Sequence, residues 1–267
     1  MNKVIVTLTT IPDRLHDTKY GEHGIYSGLL TLLNQDCVDY EVHFNIPYTY
    51  HMTGEEYIIP SWLEDLQHQY SHLKIFRMND EGPLTKILPT IKRISNPDTI
   101  IVVADDDQRY QPNMVTTHIK NQQLYEKAAV GYDGLDVLVP FFHDPRDHYV
   151  SLIPKDLRVK VLQHYKTVSY KRSYFDDDLF TEFVGKTPSD DILISAYLGY
   201  KNIPKIVTFD ENDTQPKSLE EWHLLVGKSF PIIGSVHHDT LQGCNHPNFG
   251  NKFYAPSEFY SQGYLER

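Results

Sequence analysis

The segment Thr99-Ile100-Ile101-Val102-Val103-Ala104 is apolar almost throughout and runs directly into three consecutive carboxylates, Asp105-Asp106-Asp107. A strand that does not alternate with polar residues has both faces covered, so it belongs in the middle of a sheet with helices packed on each side. The same kind of unit recurs before it. Lys3 to Leu8 reads as a buried strand, and Gly21 to Gln35 carries Ile25, Leu29, Leu30, Leu32 and Leu33 at helical spacing. Tyr40 to Ile46 is the second predicted strand. Glu55 to Tyr70 is a turn and then a helix, with Pro60 at its first position. Leu73 to Arg77 is the third strand, followed by the turn signal Asn79-Asp80-Glu81-Gly82-Pro83 and a helix over Thr85 to Ile94 kinked at Pro89. Beyond the acidic triplet, Pro112 opens a helix through Lys127. Val137 to Phe142, Val159 to Ser169 and Lys205 to Phe209 read as strands, Asp190 to Gly199 and Leu219 to Gly227 as helices. Strands alternating with helices around a mostly parallel sheet define an α/β chain.

Length sets the domain count. A chain of 267 residues without an internal repeat or low-complexity linker is read as one domain over 1–267, with a sheet-rich half to about residue 110 and an irregular second half over about 111–267. Its formal charge of −11 and lack of a basic stripe argue against a dedicated nucleic-acid binder, whose affinity comes from Lys and Arg on phosphates. No apolar stretch approaches the roughly 20 residues that span a bilayer. The start, Met1 to Thr9, lacks a signal-peptide pattern. Two cysteines, Cys37 and Cys244, make no disulfide framework. These features predict a non-secreted, cytoplasmic protein.

In open α/β sheets, ligands bind beyond the carboxyl ends of the strands. That rule selects Thr9-Thr10-Ile11-Pro12-Asp13-Arg14, the 79–86 loop ending in Lys86, and the triple aspartate. Three adjacent carboxylates at the end of a buried strand repel one another and call for a cation. Hard oxygen donors suit Mn²⁺ or Mg²⁺. Extended alternation puts Asp105 and Asp107 on one side, one holding the cation and the other bridging toward phosphate. An acidic turn that is merely solvated is the competing reading of such a run.

The ordered set Thr9-Thr10-Ile11-Pro12-x-Arg14, Asn45-Ile46-Pro47, Gly82-Pro83-x-Thr85-Lys86 and Ile101-Val102-Val103-Ala104-Asp105-Asp106-Asp107 resembles the GT-A-fold glycosyltransferases related to family 2. The resemblance spans residue 3 to about residue 200. It implies a GT-A (Rossmann-like) fold with a nucleotide-sugar-binding half to about residue 110 and an acceptor-binding, catalytic-base half over about 111–267. It also implies a nucleotide-sugar donor, UDP-linked in preference to GDP-linked, and a glycan or glycolipid acceptor. Asp107 is then the expected metal ligand and Asp105 the partner of ribose or of a metal-bound water, while Asp106 contacts the sugar or faces inward. Arg14 and Lys86 bring positive charge to the nucleotide or diphosphate, and Thr9, Thr10 and Pro12 shape the base pocket. The pair Asp190-Asp191, opening a helix, matches the position of the base in inverting relatives. Asp191 is the expected base and Asp190 the alternative, since many relatives carry Glu-Asp there; an ordinary N-terminal helix cap is the competing reading. A C-terminal histidine completes the metal shell in some GT-A enzymes, which makes His237 or His238 a candidate ligand. The implied source is a bacterial or virus-encoded enzyme.

Other classes are weaker. A Mg²⁺-dependent phosphatase or nucleotidyltransferase also uses strand-end aspartates, but a haloacid-dehalogenase-type loop wants Thr or Val where Gln108 stands. A non-catalytic carbohydrate-binding protein on the same scaffold is the third reading. Asp176-Asp177-Asp178 follows no buried strand and reads as a loop or helix start. The aromatics Trp222, Tyr254 and Tyr260 offer stacking surfaces for an acceptor. Signatures of dinucleotide binding, P-loops, nucleophile elbows and dithiol redox sites are missing from the sequence.

Overall fold

The computed structural model describes residues 3–16, 25–37, 39–135 and 157–208. The predicted elements at Val137 to Phe142 and Leu219 to Gly227 lie outside them, as do His237, His238, Cys244, Trp222, Tyr254 and Tyr260.

The chain begins with β1 (Val4–Leu8), a short α1 (Pro12–His16), α2 (Tyr26–Leu33), β2 (Tyr40–Pro47), α3 (Ser61–Gln69) and β3 (Leu73–Met78). A 3₁₀ turn over Gly82–Lys86 leads into α4 (Leu88–Arg93), β4 (Ile100–Val103) and α5 (Met114–Leu124). The short strands β5 (Ala129–Gly131), β6 (Gly134–Leu135), β7 (Leu157–Arg158) and β8 (Val161–Leu162) follow. A 3₁₀ turn at His164–Lys166, β9 (Val168–Lys171), α6 (Asp190–Tyr200) and β10 (Lys205–Val207) complete the described chain.

Eight of these strands form one sheet in the order β3-β2-β1-β4-β9-β5-β10-β7, and β6 pairs with β8 separately. The first four strands are parallel. Beyond them β9 runs antiparallel between β4 and β5, so the sheet becomes mixed there. The predicted central strand is where its composition puts it: β4 pairs with β1 on one side and β9 on the other, and all four residues are buried.

Strand alternation divides the core in two. Ile100, Val102 and Ala104 pack with Leu29, Leu30, Leu32 and Leu33 of α2 and Leu63 and Leu66 of α3. Ile101 and Val103 pack on the opposite side with Ile87, Leu88 and Ile91, and with Leu193, Ile194, Tyr197 and Leu198 of α6. Each such buried aliphatic side chain contributes roughly 1.5–3 kcal/mol relative to exposure.

Several boundaries differ from expectation for local reasons. Pro60 caps α3 from outside. The helix expected over Thr85 to Ile94 is two pieces, because Pro89 lies in the first turn of α4, where a missing N–H costs nothing, and the 3₁₀ turn precedes it. The helix expected from Pro112 starts at Met114. The strand expected over Val159 to Ser169 is interrupted at His164–Lys166, and Thr167 then adopts φ 75°, a conformation rarely taken by a β-branched residue.

Candidate functional site

Alternation along β4 carries past its end and separates the first two aspartates. Asp105 continues the side of Ile101 and Val103, where Lys86 Nζ lies 2.5 Å from its Oδ1. Asp106 belongs to the other side. Its Oδ2 accepts a hydrogen bond from Thr10 Oγ1 at 2.6 Å, and its Oδ1 accepts one from the Arg14 guanidinium. Asp107, expected to share a side with Asp105, instead joins Asp106, because the chain turns at residues 106–107. Its Oδ2 lies 3.1 Å from Arg14 Nη2, and its Oδ1 accepts from Gln108 Nε2 at 3.2 Å.

Two features hold this acidic turn. The Tyr110 hydroxyl accepts from the Asp105 N–H and donates to the Asp105 carbonyl, both at 2.8 Å. Gly28 on α2 lets the turn approach: a Cβ there would lie 2.6 Å from the Gln108 carbonyl oxygen and 3.2 Å from that of Asp106.

A cavity of about 590 Å³ opens over the triplet, within the usual range for small-ligand sites of about 300–1,000 Å³. All three aspartates line it, together with Thr9, Thr10, Ile11, Arg14 and Lys86. Pro12, expected in the base pocket, is instead buried at the start of α1, and Ile11 takes its place in the wall. The far wall comes from Asp80, Gly82 and Pro83 of the 79–86 loop that the strand-end rule selected, and from Tyr50, His51, Met52 and Tyr57 of the loop after β2, which sequence reasoning did not single out. Asp80 ties the two loops together. Its Oδ2 accepts from the His51 N–H at 2.9 Å and pairs with His51 Nδ1 at 2.7 Å, while its Oδ1 accepts from the Gly82 N–H at 2.8 Å. A turn signal beside a strand end was the available clue to Asp80; nothing local marked Tyr57, whose hydroxyl donates to the Thr10 carbonyl at 3.0 Å.

Lys86 connects this cavity to the second pair of carboxylates. Its Nζ also lies 2.9 Å from Asp190 Oδ2, at the start of α6. Pro188 lines the cavity, and Asp190 reaches it through Lys86. Ser189, not an aspartate, caps the helix by accepting from the Ile192 N–H, so capping does not account for the pair. Both carboxylates meet His164: its Nδ1 is 2.7 Å from Asp190 Oδ2 and 2.9 Å from Asp191 Oδ1. His164 was missed because it lies inside a predicted strand, 26 residues from Asp190; nothing in Val159 to Ser169 marked this histidine apart from the strand around it.

These contacts set the ionisation. Burial works against the charged forms of Arg14 and Lys86, but the surrounding aspartates override it and raise both above their ordinary values. Burial also disfavours the His164 cation, yet hydrogen bonds to Asp190 and Asp191 push its pKa up to about 9. Asp107 is pushed up by burial, against the pull of Arg14 and with the help of Asp106 and Asp105. The two members of the second pair diverge. Asp190 is held well below the usual carboxylate range, since Lys86 and His164 overcome its burial, whereas Asp191 is raised by burial and by the charge of Asp190.

The donor set fits a divalent cation. Five carboxylates (Asp105, Asp106, Asp107, Asp190 and Asp191) face three cations (Arg14, Lys86 and His164), leaving two negative charges beside a cavity. His164, Asp190 and Asp191 also present ligand atoms within 4.8 Å of one another. That group already holds the Nδ1 proton and shares the Lys86 ammonium with Asp105, while Asp107 shares Arg14 with Asp106. Asp176 and Asp178, from the other acidic triplet, pair with Lys201 just past the end of α6 at 2.6 and 2.5 Å and do not line the cavity.

Comparison with protein-family models finds no match, and comparison with curated proteins finds none. The fold does have solved counterparts. The structure of S. aureus TarS 1-349 superposes with a TM-score of 0.51 at 13% identity, over 78% of this chain and 58% of that one. TarS 1-349 in complex with UDP-GlcNAc gives 0.50 at 14% identity, over 98% and 75%, and the complex with UDP gives 0.50 at 14%, over 98% and 74%. Against a further structure of S. aureus TarS the chain spans 45% of the counterpart. The architecture is thus the mixed α/β sheet flanked by helices of a GT-A-like glycosyltransferase fold, as the sequence resemblance implied. No helix among the described residues is long and apolar enough to cross a membrane.

Proposed function

We propose that this chain is a nucleotide-sugar-dependent glycosyltransferase that uses a UDP-sugar, requires Mn²⁺ or Mg²⁺, and transfers with inversion to a hydroxyl of a glycan or glycolipid. The observation that carries the reading is the joining, through Lys86, of a strand-end acidic triplet lining a nucleotide-sized cavity to a second aspartate pair of unequal basicity. The TarS complexes with UDP-GlcNAc and UDP support the choice of donor.

Asp107 and Asp105 would hold the metal, which when bound offsets the charge that gathers on the departing diphosphate. Arg14 and Lys86 supply further positive charge at the same end of the cavity. Thr9, Thr10, Tyr57 and the loop tied by Asp80 surround the remainder of the donor. Asp191 is the better base of its pair, because a raised affinity for protons suits it to accept one near neutral pH, whereas Asp190 is held ionised by two cations. In the transfer step the acceptor oxygen bonds to the anomeric carbon and its proton passes to Asp191. The bond from that carbon to the diphosphate oxygen breaks, and its electron pair leaves with the nucleoside diphosphate.

Calorimetric titration of UDP- and GDP-sugars, with UDP-GlcNAc among them, in the presence and absence of Mn²⁺ tests the reading. Binding of UDP-linked donors only with Mn²⁺ is expected. Folded protein that binds none of them would overturn it.

A further inference from the structure

The proposed reaction uses Asp191 and leaves His164 without a purpose. This histidine is 1% exposed and does not line the cavity, yet each ring nitrogen is engaged. Nδ1 faces Asp190 and Asp191, and Nε2 lies 2.7 Å from the hydroxyl of Tyr170, a buried residue of β9. The His164 main-chain N–H donates to Asp191 Oδ1 as well, at 3.0 Å. Asp191 Oδ1 therefore has two donors from one residue, while no donor reaches its Oδ2 among the described residues.

The backbone is bent to make this possible. A continuous strand over Val159 to Ser169 would alternate its side chains past α6. Instead the 3₁₀ turn and the positive φ of Thr167 bring His164 beneath the first turn of α6. The Thr167 hydroxyl lies 2.8 Å from Nε2 of buried His118, which anchors the unfavourable conformation.

We propose that His164 is a positioning residue for the transfer reaction, holding the carboxylates of Asp190 and Asp191 together and fixing Asp191 Oδ1 so that Asp191 Oδ2 is presented to the acceptor hydroxyl. The inference rests on Asp191 serving as the base and adds how that base is aimed. The charged and titratable groups around His164 are Asp190 and Asp191 from α6, Tyr170 from β9 and, through Asp190, Lys86 from the 3₁₀ turn before α4. A cation at His164 eases loss of the Asp191 proton, and its removal makes Asp191 hold that proton to higher pH.

The test compares His164→Asn, which keeps an N–H donor near the Nδ1 position without the charge, with His164→Gln, which does not, and with Tyr170→Phe, which removes only the outer hydroxyl. Two readouts are made: carboxyl ¹³C titration of Asp191 in the protein without ligands, and the pH profile of kcat with the KM for donor. His164→Gln is expected to lower kcat about 100-fold with donor KM unchanged, the scale of misplacing a reacting group by about an ångström. His164→Asn should recover much of kcat, with the acid limb of its profile and the Asp191 titration both moved to higher pH. Tyr170→Phe should move both in the same direction and by less. An Asp191 titration and kcat profile unchanged in His164→Asn would overturn the proposal, and so would rates that follow thermal stability across the three variants. If His164→Gln does not fold, the other two decide the question. A parent chain that turns over no nucleotide sugar would overturn the transferase reading instead, while the carboxyl titration still reports whether His164 governs the pair.

Discussion

The molecule carries two carboxylate clusters that use the same residue type for opposite ends. The triplet after β4 is partly offset by Arg14 and Lys86, whose side chains lie on the cavity wall, and it retains excess negative charge facing an open space. The pair at the start of α6 closes around a buried imidazole, and Lys86, paired with Asp190, separates the two acids in strength. An aspartate's chemistry is thus set by where its countercharge sits: beside a cavity, it is a place for a metal or phosphate; locked in the core, it tunes a proton acceptor.

The sharpest way to break this comparison is to exchange one member on each side. Asp191→Asn is expected to lower sugar transfer by about 10²- to 10⁴-fold, the usual worth of a general base, while Mn²⁺-dependent donor binding measured by calorimetry stays as in the parent. Asp107→Ala should do the reverse at the binding level, abolishing the Mn²⁺ dependence of nucleotide affinity. If both variants lose binding equally, the clusters do not divide the labour.

A second experiment perturbs one cluster mechanically. Gly28→Ala forces a methyl against the carbonyls of Gln108 and Asp106 and should cost about 1–3 kcal/mol in urea unfolding, as overpacking does. Mn²⁺-dependent binding should weaken with it, while the Asp191 carboxyl titration stays put.

The pH dependence of stability sharpens the other side. The His164 pKa is higher folded, at about 9, than its ordinary 6.5. Its contribution is therefore fully present below about 6.5 and is lost as pH rises through about 9. The urea midpoint should fall between those values in the parent and fall less in His164→Asn. Asp190, whose pKa is depressed, acts in the opposite sense: its share is present above the ordinary carboxylate value and is lost as pH falls toward the folded one. The smallest effect belongs to the solvated triplet. Asp176→Ala breaks the pair with Lys201 and the hydrogen bonds that Asp176 Oδ1 accepts from the Tyr197 hydroxyl and the Asp178 N–H, and should lower stability by about 1–2 kcal/mol, with donor binding untouched.

Much of the first half was legible in the sequence because period and placement agree there. The apolar runs at 4–8 and 100–103 are central strands, and the carboxylates after the latter line the cavity. Asp190 and Asp191 were legible as a helix-opening pair, but their inequality was not, since it comes from Lys86 and His164, distant in sequence. The antiparallel insertion of β9 between β4 and β5 was illegible for a related reason: strand order is decided by long-range pairing, and Val168–Lys171 carries no mark of its neighbours. The split between Asp105 and Asp107 was misread because alternation holds only while the chain stays extended, and it turns at 106.

One feature of the resting site bears on how a ligand enters. Lys86 is already shared between Asp105 and Asp190, and Arg14 between Asp106 and Asp107. An anionic donor arriving with a divalent cation finds Arg14 and Lys86 already paired, so its binding exchanges carboxylate partners of those cations for phosphate ones. Two consequences follow: the affinity of such a ligand should depend only shallowly on ionic strength, and its binding enthalpy should be small for the number of contacts it makes.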